Sequence, residues 1–293
     1  MGGGFLRHIR ACNAPVREPF WPWRIDGVTY GWVRPAFARR LADWPDTFRL
    51  AGEALESQLA GEVPLQQRLA RVAESLAASG ELPLLLHEPY PVTAGAREQA
   101  VVTVDRALAA PLGLRSFGQH LNGYLRREDG IWMWIARRAR DRLIFPGALD
   151  NMVAGGLPHG VGLRENLLKE CEEEAGMPPE LAARARPVSA LSYNRVAERG
   201  FRPDVLYCYD IELPADFEPR NTDGEVESFT LMPIDRVMRI VRDTDEFKLN
   251  CNLVIIDFLV RHGLIGPEDP DYLDIVTGLH PPVGMPETNE CND

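Results

Sequence analysis

The sequence predicts an α/β fold, a mixed sheet with helices on both faces, preceded by a smaller α+β N-terminal domain. In the second half, apolar segments of strand length alternate with helical patterns, which is typical of layered α/β folds. The first half differs in texture, with a short hairpin pattern followed by helical patterns and one further strand. The 293 residues suit one large domain or two ordinary ones. We therefore expect an accessory domain over residues 1–113 and a second domain over residues 114–293.

Composition indicates a folded protein with a small-molecule ligand. The hydrophobic fraction of 45% and the charged fraction of 26% are ordinary for globular chains and exclude disordered or collagen-like proteins. The formal net charge of −11 opposes non-specific binding to nucleic acid or to anionic lipid. We therefore expect no nucleic-acid or membrane partner, while a homodimer remains open beside a monomer.

Cysteine usage and hydropathy bear on the cellular compartment. The five cysteines are odd in number, far apart and without a C-x-x-C pair, which argues against a disulfide framework or a zinc ribbon. No apolar run approaches the roughly 18 residues that span a bilayer, and no apolar segment of a secretory signal follows Arg7. These features favour a reducing cytosol, and we expect a cytoplasmic protein.

The first half contains elements but no catalytic pattern. Asp26-Gly27 between apolar runs is a turn signal, and apolar residues at helical spacing end at Gly80. The predicted elements are a hairpin at 24–30, helices at 48–59 and 65–77, and a strand at 101–104. We expect this half to pack as an accessory domain beside a ligand site, and its early aromatic residues to be core rather than ligand-stacking rings.

The second half alternates strands and helices around a glycine-rich loop. A helix is predicted to end at Gly176 and a final helix at Gly263, because glycine favours the left-handed conformation that terminates helices. The predicted strands are 121–126, 131–136, 188–194, 205–212 and 226–232, and the predicted helices are 163–175 and 252–261.

The helix at 163–175 is strongly acidic, and its charges lie on one face. Glu170, Glu173 and Glu174 stand at positions i, i+3 and i+4, a spacing that aligns three carboxylates. Like charges at this spacing repel, so water, basic neighbours or bound cations must offset them. Mg²⁺ prefers carboxylate oxygens and shares its coordination with waters and substrate phosphates. A bare pattern of this kind is typical of a solvated surface helix, and its context decides between the two interpretations.

That context favours a metal site. Leu167, Leu168 and Cys171 form an apolar stripe that docks the helix on a core and fixes its acidic face. Gly155 and Gly156 precede the helix, where a backbone without side chains can approach a ligand closely. The sequence therefore predicts a platform for a divalent cation and a phosphorylated ligand.

The run from Gly155 to Met177 resembles the Nudix box, G-x5-E-x7-R-E-U-x-E-E-x-G-U, where U is a bulky apolar residue. Gly155, Glu170, Glu173, Glu174 and Gly176 match its invariant positions, with Cys171 and Met177 at apolar ones. The resemblance implies an α/β/α sandwich in which the three glutamates bind Mg²⁺ or Mn²⁺. It also implies that a metal-activated water splits a diphosphate bond.

Two positions depart from the box. Its first Glu is Val161 and its Arg is Lys169. In the family these two positions chiefly support the geometry of the loop and the helix. We therefore expect the two replacements to affect the conformation of the loop rather than the metal site. Glu165 precedes Lys169 by four residues, and we expect the two to form a substitute ion pair or a plain surface pair.

A narrower resemblance covers most of the chain. Residues 149–158, 223–229 and 248–254 are similar to a Nudix subfamily related to the extra domain of fungal thiamine pyrophosphokinase and to plant and yeast homologues. The subfamily implies an additional N-terminal domain and hydrolysis of thiamine diphosphate, preferentially of its damaged oxo and oxy analogues, to monophosphate and phosphate. Two alternatives stay open: a pyrophosphatase for ADP-ribose, NADH, coenzyme A or another nucleotide, and a non-catalytic module that senses a ligand.

Further residues complete the predicted site. Glu225 and Glu227 follow a turn, and Glu225 is favoured as the additional catalytic carboxylate because it lies nearer the loop. Diphosphate oxygens call for Arg or Lys. The predicted catalytic residues are Glu173, Glu174 and Glu225, the metal ligands Glu170, Glu173 and Glu174, and the substrate-binding residues Gly155, Gly156, Arg138, Lys248 and Asn250.

Overall fold

The computed structural model describes residues 4–82 and 84–285. Four of the five cysteines are free and buried, and the fifth, Cys291, lies outside the described residues. Within the described part of the chain, no helix combines the length and the hydropathy that crossing a bilayer requires. The structure is a mixed α/β protein, which confirms the predicted fold class.

The first half contains two small sheets with helices packed on them. The strand order of the four-stranded sheet is β2-β1-β4-β3. Its strands are β1 (Trp21–Ile25), β2 (Val28–Val33), β3 (Arg49–Leu50) and β4 (Leu55–Ser57). The other elements are α2 (Pro35–Leu41), α3 (Leu65–Ala78), β5 (Pro89–Val92) and β6 (Val102–Asp105), the last two forming a two-stranded sheet.

Local patterns predicted part of this half correctly. The hairpin is confirmed, and both turn residues, Asp26 and Gly27, have positive φ, as a tight Asp-Gly turn requires. The helix at 65–77 and the strand at 101–104 are confirmed as α3 and β6. The helix predicted at 48–59 is wrong, because this segment forms β3 and β4 around Gly52, whose φ is +60°.

The second half is built on a seven-stranded mixed sheet. Its main strand order is β11-β12-β7-β8-β13, with β9 paired to β8 and β10 paired to β7. Strands β7 and β12 run parallel, and the other pairs are antiparallel. The strands are β7 (Ser116–Arg127), β8 (Gly130–Arg138), β9 (Leu149–Asp150), β10 (Val153–Gly156), β11 (Arg186–Ala197), β12 (Gly200–Glu212) and β13 (Val226–Pro233).

Helices cover both faces of this sheet. On one face α4 (Leu163–Ala175) buries Leu167 and Cys171 in a core with Leu121 and Leu125 of β7. The opposite face carries a larger core under further helices. These are α6 (Ile234–Asp243), α7 (Leu249–Arg261) and α8 (Tyr272–Gly278), while the short α5 (Pro179–Ala182) packs beside α4. The result is the α/β/α arrangement that the sequence predicted.

The N-terminal helix joins the second half. Helix α1 (Leu6–Cys12) buries Leu6, Ile9 and Cys12 in the core beneath α7 and α8. The predicted N-terminal unit therefore does not enclose all of its own apolar residues. The division at residues 113 and 114 stays a prediction.

A split in the sheet creates the place for a site. Strands β7 and β8 pair only at their hairpin end, where residues 124–127 face residues 130–133. Farther along they diverge, β9 pairing with β8 and β10 with β7. The chain from Asp150 to Gly156 thus crosses the opening between the two strands, next to the start of α7 and the acidic face of α4.

Candidate active site

Helix α4 has the predicted ends, and each end has a local cause. The chain enters through Gly162, whose backbone N–H donates to Glu165 Oε2 at 3.3 Å. It leaves through Gly176 at φ +59°, a conformation that glycine adopts without steric cost. The expected Glu165–Lys169 pair is wrong: Lys169 Nζ lies 2.9 Å from Glu173 Oε2 and 3.6 Å from Glu170 Oε1.

Three of the five glutamates of α4, namely Glu170, Glu173 and Glu174, share a face but occupy different environments. Glu174 is 7% exposed and accepts the backbone N–H of Ala154 at 2.8 Å. Glu170 packs against Gly155, where an added Cβ would lie 2.5 Å from its carboxyl carbon. Glu173 is half exposed beside its lysine. The role of Gly155 is therefore to admit the Glu170 side chain, rather than only to expose backbone to a ligand.

The positive charge near Glu170 and Glu174 is too small to offset the effect of burial on the pKa of their carboxyl groups. Burial raises the pKa of Glu174 well above its usual value; the Ala154 N–H opposes the rise, and the charges of Asp150 and Glu170 add to it. Burial likewise raises the pKa of Glu170, against the nearby Lys169 and reinforced by Glu173 and Glu225. Both carboxylates would hold a cation in their ionised form.

Glu225 lies near this face, and its catalytic role stays a prediction. Its carboxylate contributes to the field at Glu170, and its Oε2 lies 2.8 Å from an Arg142 nitrogen. Asp223 Oδ1 accepts the Glu225 backbone N–H at 2.8 Å and fixes the turn before β13. Glu227 lies farther out and pairs with Arg140 at 3.4 Å.

The donor set fits a divalent cation. The four carboxylates of Glu170, Glu173, Glu174 and Glu225 are paired with two cations, Lys169 and Arg142, leaving two negative charges. Hard oxygen donors are those that Mg²⁺ and Mn²⁺ prefer. The residues that would hold such an ion are therefore Glu170, Glu173 and Glu174 of α4.

A second polar group lies at the start of α7. Arg138 and Lys248 both approach Asp150 Oδ2, at 3.0 and 3.4 Å. Cys251 Sγ and the Asn151 backbone N–H donate to Asp150 Oδ1. Burial raises the pKa of Asp150, but the nearby Lys248, together with the other donors and Arg138, holds it below its usual value. Sequence analysis missed Asp150, whose position after a short apolar strand carries no signal of its role.

His120 connects this group to Asn250. Its Nδ1 lies 2.9 Å from Asn151 Oδ1, and its Nε2 lies 3.4 Å from Asn250 Nδ2. Burial, chiefly, lowers the pKa of His120 to about 4, and Lys248 lowers it further against Asp150, so the ring is neutral at pH 7. A neutral ring with a proton on Nδ1 donates to Asn151 and accepts from Asn250.

Side chains of this second polar group also bring possible metal-coordinating atoms close together. Within residues 4–82 and 84–285, one group of three could hold a metal by proximity, formed by His120, Asp150 and Cys251. The α4 trio does not converge in this way. Arg138 and Lys248 already neutralise Asp150 and would repel a cation. The acidic face of α4 therefore suits a divalent cation better than the His120 group.

The remaining predicted residues have structural partners. Arg137, which was not predicted and precedes the predicted Arg138 on β8, donates to the Gly147 carbonyl at 2.7 Å. Gly156 faces Tyr90 and Arg106 of the first half. The early aromatic residues pack on each other and on the second half, in the pairs Trp23–Phe48, Phe20–Phe201 and Trp32–Phe201. Trp23 is therefore a core residue as expected, whereas Phe20 and Trp32 are only partly buried.

Two family models match the chain in succession. Residues 4–116 match a domain of unknown function, DUF4743, and residues 120–251 match the NUDIX domain. Among solved structures, the NUDIX domain of Shewanella oneidensis NrtR, complexed with ADP ribose, is similar to 52% of this chain over 89% of its own length. That likeness has a TM-score of 0.39 and 13% identity.

Two curated relatives from Arabidopsis thaliana match over most of their length. Nudix hydrolase 24, chloroplastic, is 42% identical over 94% of this chain and 77% of its own length. Nudix hydrolase 20, chloroplastic, is 40% identical over the same shares. Both relatives are named chloroplastic, and the expectation of a cytoplasmic protein is therefore wrong. That expectation relied on free cysteines, which indicate a thiol redox state and do not identify a compartment.

The match to these relatives extends through both halves of the chain. It includes the N-terminal domain and, in the second half, the glycine-rich strand and the box helix. The second half has the α/β/α layers that the box implied. Nudix hydrolases generally use divalent metals, which suits the acidic face of α4. The chain belongs to the Nudix hydrolase family.

Proposed function

We propose that this chain hydrolyses the diphosphate bond of a small organic diphosphate with the help of Mg²⁺, or alternatively Mn²⁺. The observation that carries the proposal is the acidic face of α4, with two uncompensated negative charges, beside the cationic group of Arg138 and Lys248. A diphosphate held between a divalent cation and these basic side chains would have its charge neutralised from both sides.

Each residue of the site has a proposed role. Glu170 and Glu174 hold the cation: burial and the Ala154 N–H fix the Glu174 carboxylate, and packing against Gly155 fixes that of Glu170. Glu173 is half exposed and can leave Lys169 to join them. When bound, the divalent cation supplies positive charge to the diphosphate oxygens and activates a water nucleophile.

The proposed reaction is a displacement at phosphorus. The water oxygen bonds to one phosphorus atom, and the bond from that atom to the bridging oxygen breaks. A carboxylate takes the proton of the water, for which Glu225 is the first candidate, and the bridging oxygen leaves on the other phosphate. Lys248 and Arg138 would hold the phosphate oxygens, and Asn250 the organic group, with the backbone of Gly155 and Gly156 alongside.

Thiamine diphosphate and its oxo and oxy analogues are the first proposed substrates. Their support is the resemblance carried by residues 149–158, 223–229 and 248–254 and by the additional N-terminal domain. The products would be the monophosphate and phosphate. Nucleotide diphosphates such as ADP-ribose, NADH and coenzyme A are the second class, consistent with the NUDIX domain and the names of the relatives.

A metal-dependent screen tests these proposals. Purified protein is incubated with both classes and Mg²⁺, and the products are identified by mass. Release of phosphate from thiamine analogues supports the first class, whereas release of a nucleoside monophosphate favours the second. Binding without turnover of any diphosphate would favour a ligand-sensing module. Light scattering on the same sample distinguishes a monomer from a homodimer. Because the net charge is −11, we propose no nucleic-acid or membrane partner.

A further inference from the structure

The loop between β8 and β9, residues 139–148, lies between the two charged groups of the site. At its start, the Ala139 N–H donates to the Glu225 carbonyl at 2.9 Å and ties the loop to the turn before β13. Farther along, the Ile144 carbonyl accepts from Arg138 Nε at 3.3 Å. Arg138 belongs to the cationic group at the start of α7, and the Glu225 carboxylate acts on the acidic face of α4. The loop therefore borders both groups.

Arg142 is the side chain of this loop that reaches the acidic face. Its Nη2 lies 2.8 Å from Glu225 Oε2, its one salt-bridge partner among the residues that the structure describes. The two side chains are 36% and 37% exposed, so both are accessible to a ligand. A guanidinium has five N–H donors, and a single carboxylate leaves most of them for another acceptor.

The ion pairs of the site differ in burial and therefore in the cost of separating them. Asp150 is 4% exposed, so the departure of Arg138 or Lys248 would strand a buried carboxylate, which is strongly destabilising. The pair of Arg142 and Glu225 is accessible to water, and pairs of this kind contribute little to stability. Arg142 can therefore change its partner, whereas Arg138 and Lys248 can offer a ligand only the donors that Asp150 leaves over.

A diphosphate is a better partner for Arg142 than one carboxylate is. It carries more negative charge, and the planar guanidinium fork matches phosphate oxygens in a bidentate arrangement. Once Arg142 leaves Glu225, Lys169 alone is paired with the four carboxylates, and three negative charges remain to hold a cation. Binding of the diphosphate and of the cation would then favour each other, because such coupling is reciprocal.

We propose that Arg142 is a substrate-binding residue that exchanges partners, pairing with Glu225 in the unliganded protein and with the diphosphate in the complex. The exchange releases the Glu225 carboxylate for proton transfer only when substrate is present. The inference rests on the proposed diphosphate hydrolysis and deepens it, because it adds a cation from the β8–β9 loop to the substrate site. The ligand group that Arg142 takes is the diphosphate itself, whatever organic group it carries.

The first test measures diphosphate binding without hydrolysis, and the same loop supplies a matched control. Arg140 pairs with Glu227 at 3.4 Å, but its side chain is 83% exposed. The probe is methylenediphosphonate, in which a CH₂ group replaces the bridging oxygen, titrated calorimetrically at saturating Mg²⁺. Arg142→Ala should weaken its binding at least about tenfold, and Arg140→Ala by less than about twofold. Arg142→Lys keeps the charge without the fork and should recover part of the loss.

The second test removes the carboxylate that competes with the ligand. Glu225→Gln should tighten methylenediphosphonate binding about two- to fivefold, because Arg142 no longer has to leave an ion pair. Glu227→Gln removes the same charge from the control pair and should change the affinity less. The gain should disappear when Glu225→Gln is combined with Arg142→Ala, since interacting residues are not additive. A merely structural pair predicts the opposite, namely weaker binding in both single variants.

Turnover separates this inference from the proposed function. KM for a hydrolysed diphosphate should rise at least about tenfold in Arg142→Ala, with thermal unfolding near that of the wild type because the pair is exposed. An unchanged affinity and KM in Arg142→Ala, or an equal loss in Arg140→Ala, would overturn the inference and leave the hydrolase proposal standing. Diphosphonate binding that depends on Arg142 without hydrolysis of any diphosphate would overturn the hydrolase proposal alone. Neither binding nor turnover by the wild type would overturn both.

Discussion

Replacing Gly155 with alanine should separate the fold from the metal site. The added methyl group would lie 2.5 Å from the Glu170 carboxyl carbon and 2.7 Å from its Cγ and Oε2. An ordinary contact begins near 3.4 Å, so the Glu170 side chain must move by at least about 0.9 Å. Gly155 lies in a strand without positive φ, so alanine fits the backbone. A misplacement of about 1 Å at a catalytic group lowers rates by roughly 100-fold.

The assay compares Gly155→Ala with Gly162→Ala. At Gly162, which precedes the same helix, an added Cβ would meet nothing closer than 3.8 Å. We expect Gly155→Ala to lose about 100-fold in Mg²⁺-dependent turnover and to bind Mn²⁺ more weakly, with thermal unfolding near that of the wild type. Gly162→Ala should retain turnover. Full activity in Gly155→Ala would refute the role assigned to Glu170.

Three further predictions concern charge in the site. Glu174→Gln keeps an acceptor for the Ala154 N–H and removes a buried charge. Tm should therefore stay the same or rise, while turnover falls at least about 100-fold. A lowered Tm would mean that the carboxylate is structural. Lys248→Ala leaves Asp150 short of a buried cation and should lower the free energy of unfolding by about 3 kcal/mol while raising KM; adding Asp150→Asn should restore stability but not KM. The pKa of His120, about 4 against 6.5 when unfolded, gives stability that is present above pH 6.5 and lost as pH falls toward 4. The loss amounts to about 3 kcal/mol at most, so urea unfolding at pH 7 and 4.5 should show less acid sensitivity in His120→Gln, and equal sensitivity would contradict the assignment.

Elements with local causes could be predicted from the sequence. Helix α4 begins and ends at the predicted residues because Gly162 and Gly176 bound a continuous amphipathic pattern. The Asp26-Gly27 hairpin follows from the positive φ that its turn demands. The failed helix at 48–59 shows the limit of periodicity, since Leu55 is buried by parallel pairing with Trp23 rather than by a helical face.

Contacts between distant segments could not be predicted. Asp150 meets Lys248 across 98 residues, and His120 meets Asn151 across 31, because the split sheet brings β7, β9 and α7 together. Nothing in the local sequence of Tyr90 or Arg106 connects them with the glycine-rich strand. Lys169 pairs with Glu173 rather than with Glu165, although both lie four residues away, because the Glu165 carboxylate caps the start of the helix.

Mn²⁺ binding to the wild type and to Glu174→Gln, measured by titration calorimetry, tests the central claim most directly. The account predicts a bound ion at millimolar concentration or below in the wild type and at least about tenfold weaker binding in the variant. Equal affinity in both proteins, or no uptake by the wild type, would contradict a metal centre on the acidic face of α4.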